Sequence, residues 1–390
     1  MRTLSLILVV LLSGCASTPP PQPDPLLADH LFAAPSERIG TDHVLQMTDA
    51  MRRYLAVDIA DQIRTKGPQV GLVDALYRRG QLKLEYDAAS TKTAAEAFDA
   101  RSGNCLSLVV MTAALAHELK LTVRYQSAYL DETWTRSGNL LFASGHVNIT
   151  LGRRLVDVAS SRDLHPWTID FLPAGELRTL RVRDIDESTV LAMYANNRAA
   201  EALARGRLDD AYAWATEALR KDPTFLIPYN TLGVVYLRHN DLALAERVFG
   251  YVLEREPKNT RALANLAETY TRLARPADAE ATRTRLAAIE SVPPFHFFNL
   301  GLDAAQQSDW RTARDFFARE VARADYNHEF HFWLGLADWQ LGDVAQARKH
   351  LQLAIDNSTT RGQHDLYAAK LAWLQSRQKP EPVSVKSTGS

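Results

Sequence analysis

From residue 199 onward, small residues return at a fixed interval of 34. Ala199, Gly233, Ala267, Gly301 and Gly335 form one series, and Ala211, Ala245, Ala279, Ala313 and Ala347 form a second. Leu232, Leu266, Leu300 and Leu334 each precede the small residue of the first series, while Tyr236 and Tyr270 follow it by three. Pro223 and Pro257 close the first two units. A period of this length admits few folds. Each unit makes one helical hairpin that cannot bury its own apolar face, so successive hairpins must stack into a continuous core. A Gly or Ala at the crossing lets the two helices of a unit approach, and the later Ala fills the contact from the other side. Five units over 192–358 exceed the three that such a core requires. A helix within 359–377 caps the open end, and 378–390 has the composition of a disordered tail.

This pattern resembles the tetratricopeptide repeat. The resemblance implies an all-helical superhelix with a concave groove, a binding surface for a protein or peptide partner and no chemistry of its own. The histidines of "HEFH" (328–331) fit helix-surface or groove positions, because the spacing supplies no third or fourth metal ligand. No cofactor is implied anywhere in the chain.

Charge excludes one large class of function. Lys plus Arg (45) nearly cancels Asp plus Glu (46), leaving a net charge of -1. Without a basic excess or aromatics interleaved with basic runs, nucleic acid is not an expected partner.

The amino terminus reads as a targeting segment. Met1-Arg2 gives a positive start, and "LSLILVVLL" (4–12) is too short to span a bilayer. It runs into "LSGC" (12–15), which resembles the lipobox of bacterial lipoproteins. The resemblance implies a signal peptide at 1–14, a lipidated Cys15 as membrane anchor and, with Ala16 next, residence at the outer membrane facing the periplasm. Residues 15–29, containing "STPPPQPDP", have the composition of an extended Pro-rich tether. The chain has two cysteines. With Cys15 lipidated, Cys105 has no partner for a disulfide in an oxidising compartment, so it is either buried and inert or kept for its reactivity.

Residues 30–185 show no repeat. A helix capped by Thr41 is expected within 40–65, a shorter one over 69–80, and a third after the Thr93-x-x-Glu96 capping box. That third helix breaks at Ser102-Gly103, and Cys105 opens a long, almost uncharged helix to about Lys120. Unsatisfied N–H groups and the positive end of the macrodipole favour a thiolate there and can donate to an oxyanion. Apolar alternation makes 121–130 a strand. "HVNITLGRRLVDVAS" (146–160) reads as a hairpin turning at Gly152-Arg153-Arg154. That register sets Asp157 opposite Asn148, within a residue or two of His146. His165-Pro166-Trp167 reads as a loop that lines a cleft.

"GNC" (103–105), "GHVNITL" (145–151) and "RLVDVAS" (154–160), in that order, resemble the transglutaminase-like superfamily of papain-type thiol enzymes. The resemblance covers roughly 85–165. It implies an α+β papain/transglutaminase-like domain, helices plus a small antiparallel sheet, ahead of the tetratricopeptide superhelix. It makes Cys105 the nucleophile, His146 its base and Asp157 the group that orients the imidazole, with Asp163 as the substitute. Asn104 and Gln126 are both candidate oxyanion donors. The expected activity is amide or peptide hydrolysis, or acyl transfer. The competing expectation is a non-catalytic scaffold that binds partners through its repeats.

Overall fold

The computed structural model describes residues 24–376, apart from 78–81, 83, 89, 130–133, 138–139, 144–145, 153–165 and 172–180. Cys15 and the signal segment, Asp157, Asp163, His165 and the tail from 377 lie outside the described residues.

Helix α1 (Asp49–Arg53) begins at Thr48, whose hydroxyl accepts the Met51 N–H. A π-helical turn over Tyr54–Asp58 follows, then α2 (Ala60–Lys66) and α3 (Pro68–Tyr77). The single helix expected from Thr41 is therefore corrected on two counts. Its cap is Thr48, and it breaks at Ile59, where ψ is 12°. Thr41 instead donates to Glu217 in the repeats at 3.2 Å. Strands β1 (Glu85–Tyr86) and β2 (Ser102–Gly103) form a short parallel pair flanking α4 (Ala94–Ala100). The expected Thr93–Glu96 capping box opens α4.

Helix α5 (Cys105–Glu118) is buried at every position from Leu106 to Ala116. An all-round apolar helix of this kind belongs inside a core rather than at a surface. After it come β3 (Val123–Tyr129), the β4–β5 hairpin (Trp134–Ser137, Leu140–Ala143), β6 (His146–Leu151), β7 (Trp167–Ile169) and β8 (Arg181–Ile185). Four of these make an antiparallel sheet in the order β7-β6-β3-β8. Val147, Ile149 and Leu151 are fully buried. The first arm of the hairpin expected over 146–160 is β6, and its second arm lies outside the described residues. Ile149, Thr150 and Leu151 already pair with Tyr125, Arg124 and Val123 on one edge and with Ile169, Thr168 and Trp167 on the other. A strand has two edges, and both edges of Ile149–Leu151 are taken.

The carboxyl-terminal part is a superhelix of paired helices. The pairs are α6 (Glu187–Ala204) with α7 (Leu208–Lys221), α8 (Ile227–His239) with α9 (Leu242–Arg255), and α10 (Thr260–Arg272) with α11 (Pro276–Ile289). Then follow α12 (His296–Gln306) with α13 (Trp310–Arg323), α14 (His328–Gln340) with α15 (Val344–Asp356), and the lone α16 (Arg361–Ser376). The first helix starts ahead of the expected boundary at 192. Two of the glycines in the first small-residue series have a packing cause. A Cβ on Gly233 would lie 2.5 Å from the Phe249 ring, and one on Gly301 would lie 2.5 Å from the Phe317 ring. Where the unit carries Ala199, the equivalent partner is the small Ala215. The glycines face a ring and Ala199 faces a small residue, so the side chain opposite sets the room for a Cβ at these crossings.

The two halves are not separate bodies. One apolar core runs continuously from Leu26 through α5 and the sheet to Leu266 in the third repeat. The expected tether also ends earlier than 29. From Asp24 onward the chain lies against the first repeats, with Tyr236 Oη donating to the Leu26 carbonyl at 2.8 Å and Phe32 stacked on Tyr212 at 4.0 Å. Glu37 accepts from Trp214 at 2.8 Å and from Arg198 at 2.9 Å. The far end of the array returns to the first half as well. The Ala88 N–H donates to the Thr359 carbonyl, between α15 and α16, at 2.7 Å. The superhelix thus curls until both of its ends touch the segment that carries Cys105.

Candidate functional site

Cys105 is the first residue of α5 and is half-buried. Three neighbours build the turn that presents it. Asn104 is the N-cap, its Oδ1 accepting the Ser107 N–H at 2.9 Å and the Ser107 hydroxyl at 2.7 Å. Its amide Nδ2 donates to Thr91 Oγ1 at 2.9 Å. Gly103 is there because of close approach: a Cβ on it would lie 2.6 Å from Ser107 Cβ. The Thr91 N–H in turn donates to Glu201 on α6 at 2.7 Å, which fixes the Cys105 turn to the first repeat.

Asn104 is therefore engaged as a cap through its oxygen and as a donor to Thr91 through its amide. Gln126 is engaged as well. It lies opposite Asn148 in the β3–β6 register, but its Nε2 donates to Asp184 at 2.9 Å and its Oε1 accepts from Thr150 at 3.3 Å. The donors left beside the thiol are first-turn N–H groups of α5 that no carbonyl of their own helix can reach.

His146 opens β6 and is 3% exposed. Its Nε2 lies 2.8 Å from Asp170 Oδ1, a carboxylate that is itself 10% exposed. Asp170 directly follows β7. Continuing the β6–β7 register by one position sets it opposite Asn148 and diagonal to His146. The sequence register reserved this place for Asp157, which lies outside the described residues. The carboxylate found on the imidazole is Asp170.

Burial by itself would lower the His146 pKa. The hydrogen bond from Asp170, joined by hydrogen-bonding and Coulombic effects of Cys105, outweighs it and raises the imidazole to about 9. Nδ1 is buried and makes no aligned hydrogen bond. The ring therefore has a carboxylate fixing one nitrogen and a thiol as its other acidic neighbour. A thiol, an imidazole and a carboxylate in this relation can exchange a proton between sulfur and ring, and hold the ring in one orientation while they do so.

Trp167, expected in a cleft-lining loop, is instead the first residue of β7 and is 47% exposed. In the "HEFH" stretch, His328 faces the groove, whereas His331 is 3% exposed and packs on His350. Sequence reasoning missed Asp170. Its signal was "WTID", a short β-branched run that places an acidic residue immediately after a strand.

Cys105 opens on a cavity of about 1580 Å³. One wall is Tyr86, Ala88, Thr91 and Asn104; the others are the inward faces of α6, α8, α10, α14 and α16.

Two tetratricopeptide repeat family models match, over residues 236–291 and 298–361. Similar solved structures include MamA (17% identity, covering 44% of this chain and 93% of that one, TM-score 0.25). PilF of Pseudomonas aeruginosa is 19% identical over 47% of this chain and 84% of that one, with a TM-score of 0.28. YrrB, described as a tetratricopeptide protein with an unusual peptide-binding site, is 21% identical over 46% of this chain and 92% of that one, with a TM-score of 0.25. No curated protein matches the chain. The carboxyl-terminal part is a tetratricopeptide superhelix, a fold whose concave surface binds proteins or peptides.

Proposed function

We propose that the chain is a transglutaminase-like thiol enzyme whose tetratricopeptide arm binds the protein or peptide on which it acts. The observation that carries this reading is the buried His146, whose Nε2 lies 2.8 Å from Asp170 and whose ring has Cys105, at the start of α5, as a neighbour. Cys105 transfers its proton to His146, and the thiolate attacks an amide carbonyl. A C–S bond forms as the carbonyl oxygen takes the negative charge, which first-turn N–H groups of α5 stabilise. The C–N bond then breaks, the leaving amine takes the proton from the imidazolium, and a thioester remains on Cys105. Water or a second amine, deprotonated by His146, attacks that thioester and returns the thiol. Asp170 is the positioning residue. It holds one ring orientation and favours the imidazolium that forms at each transfer.

The "LSGC" motif supports a lipid anchor at Cys15 and a place on the outer membrane facing the periplasm. There, a thiol without a disulfide partner is retained for its chemistry. The described residues contain no helix long and apolar enough to cross a membrane.

An acyl-electrophile probe tests the catalytic reading. Wild-type protein is expected to be labelled at Cys105, His146→Ala to react at least ten-fold more slowly, and Cys105→Ala not at all. Equal labelling of wild type and Cys105→Ala at unchanged fold would leave a scaffold that binds through its repeats.

A further inference from the structure

The superhelix is not evenly joined. Helix α7 packs along α8, α9 along α10, α13 along α14 and α15 along α16, but α11 does not pack along α12. The cause lies in the sequence. Phe249 of α9 and Phe317 of α13 are fully buried anchors, and the position 34 residues from each is Arg283. Its guanidinium donates to Thr271 Oγ1 at 2.7 Å, and its side chain is half exposed. Ala279 is the one buried residue of α11, where α9 buries five. The next unit packs forward instead of back. Phe295, just ahead of α12, and Phe298 both stand 5.0 Å from the Phe330 ring of α14. The apolar core is broken accordingly: one cluster ends at Leu266, with Leu286 against its edge, and another begins at Phe295.

The joint between the two blocks is residues 290–295, six residues where the α9–α10 and α13–α14 joints have four. Arg323 of α13 donates to the Val292 carbonyl at 2.8 Å and to the Pro293 carbonyl at 3.3 Å. Pro293 and Pro294 fix their own φ angles, so this stretch is stiff and belongs with the second block. Glu290 and Ser291 are left as the pivot. From α12 to α16 each helix packs on the next without a break. Units of a repeat array are coupled through the interface each shares with its neighbour. Where that interface is missing, the blocks on either side are free to turn as bodies about the joint.

We infer that units four and five with α16 form one rigid arm that pivots about Glu290–Ser291, and that the hydrogen bond from Ala88 to Thr359 latches it in its present position. The consequence falls on the cavity beside Cys105. The arm contributes Tyr326, His328, Phe332, Trp333 and Tyr367 to the lining, whereas Cys105 and the inward faces of α6, α8 and α10 belong to the first block. Swinging the arm changes the width of the cavity without opening either core. A partner that touches both blocks then selects one arm position. The inference holds whether or not Cys105 is reactive.

Double electron–electron resonance tests it in the full chain carrying Cys15→Ser and Cys105→Ala, with nitroxides on exposed helix positions. Arg220→Cys with Ala281→Cys reports within the first block, Ala318→Cys with Ala369→Cys within the second, and Arg220→Cys with Ala318→Cys across the joint. The within-block distances are expected to be narrowly distributed and the across-joint distance at least twice as broad. Ala88→Pro removes the N–H that Thr359 accepts and should move the across-joint distance to longer values. Pro293→Gly with Pro294→Gly loosens the joint from the other side and should broaden that distance alone. An across-joint distribution as narrow as the within-block ones in all three proteins overturns the arm. A broad one that ignores Ala88→Pro overturns the latch.

Discussion

The repeat half makes one contact five times, whereas the site makes each of its contacts once. Ala211, Ala245, Ala279, Ala313 and Ala347 are all buried at equivalent crossings, and within the array the packing is between neighbouring units. Losing one crossing weakens one unit and leaves the others to hold the superhelix. Cys105, His146 and Asp170 come from a helix start, a strand start and a strand end. In the proposed mechanism they act as a unit, so losing any one removes most of what the other two achieve. Damage to the array should therefore be graded, and damage to the site should be nearly all-or-none.

The sharpest trial of that contrast is the orienting carboxylate. Asp170→Asn is expected to lower turnover of an amide substrate roughly 10²-fold to 10⁴-fold, since the imidazole loses the group that fixes its orientation. The pH–rate profile should shift with it, an effect that a merely structural carboxylate would not produce. Asp157→Asn is expected to stay within a few-fold of wild type. The opposite ranking would return the orienting role to Asp157.

The same pair reports on stability. His146 is raised from 6.5 to about 9, so its folded-state value lies above the unfolded one. Its contribution is then fully present below about pH 6.5 and is lost as pH rises through about 9. The shift corresponds to roughly 3 kcal/mol. Thermal unfolding of wild type and Asp170→Asn is expected to differ most near pH 6 and to converge above pH 9. A constant difference across that range would mean that the imidazole is not linked to folding.

In the array, Gly233→Ala sets a Cβ against the Phe249 ring, 2.5 Å away before any relaxation. Overpacking costs about 1–3 kcal/mol, against about 1 kcal/mol gained from helix propensity. A net loss of up to about 2 kcal/mol is expected in denaturant melts, with thiol labelling unchanged. Pairing it with Phe249→Leu should recover part of the loss. A large fall in Cys105 reactivity would show that the array and the site are less separable than the graded picture requires.

The two halves were also unequally legible in the sequence, for the same physical reason. A contact repeated every 34 residues leaves a period, so the helix pairs of the array can be read without coordinates. The nucleophile turn was legible because its signals are local: Gly103, the Asn104 cap and the Cys105 helix start are consecutive. The third site member was not. Choosing Asp157 assumed that β6 turns straight back on itself, but both edges of Ile149–Leu151 are taken by β3 and β7. The register logic asked for a carboxylate across from Asn148, and the strand that supplies one begins at Trp167. Strand adjacency is a long-range property, and period-two alternation holds no record of it. The closing contact from Ala88 to Thr359 has no local signal at all. It follows from the summed curvature of five units.

Asn104 gives the finest test of the comparison, because it belongs to the site by position and to the scaffold by its bonds. Its Oδ1 caps α5 and its Nδ2 holds Thr91. Asn104→Ala is expected to cost about 1 kcal/mol of stability, the usual loss of an N-cap. Asn104→Ser keeps a capping oxygen but has no amide, so its stability should lie closer to wild type. Turnover should fall less than ten-fold in both, since first-turn N–H groups supply the oxyanion's donors. An amide that served the oxyanion directly would lose about 10²-fold to 10³-fold in kcat in the Ser variant as in the Ala variant. That result would move Asn104 from the graded class of contacts to the all-or-none class.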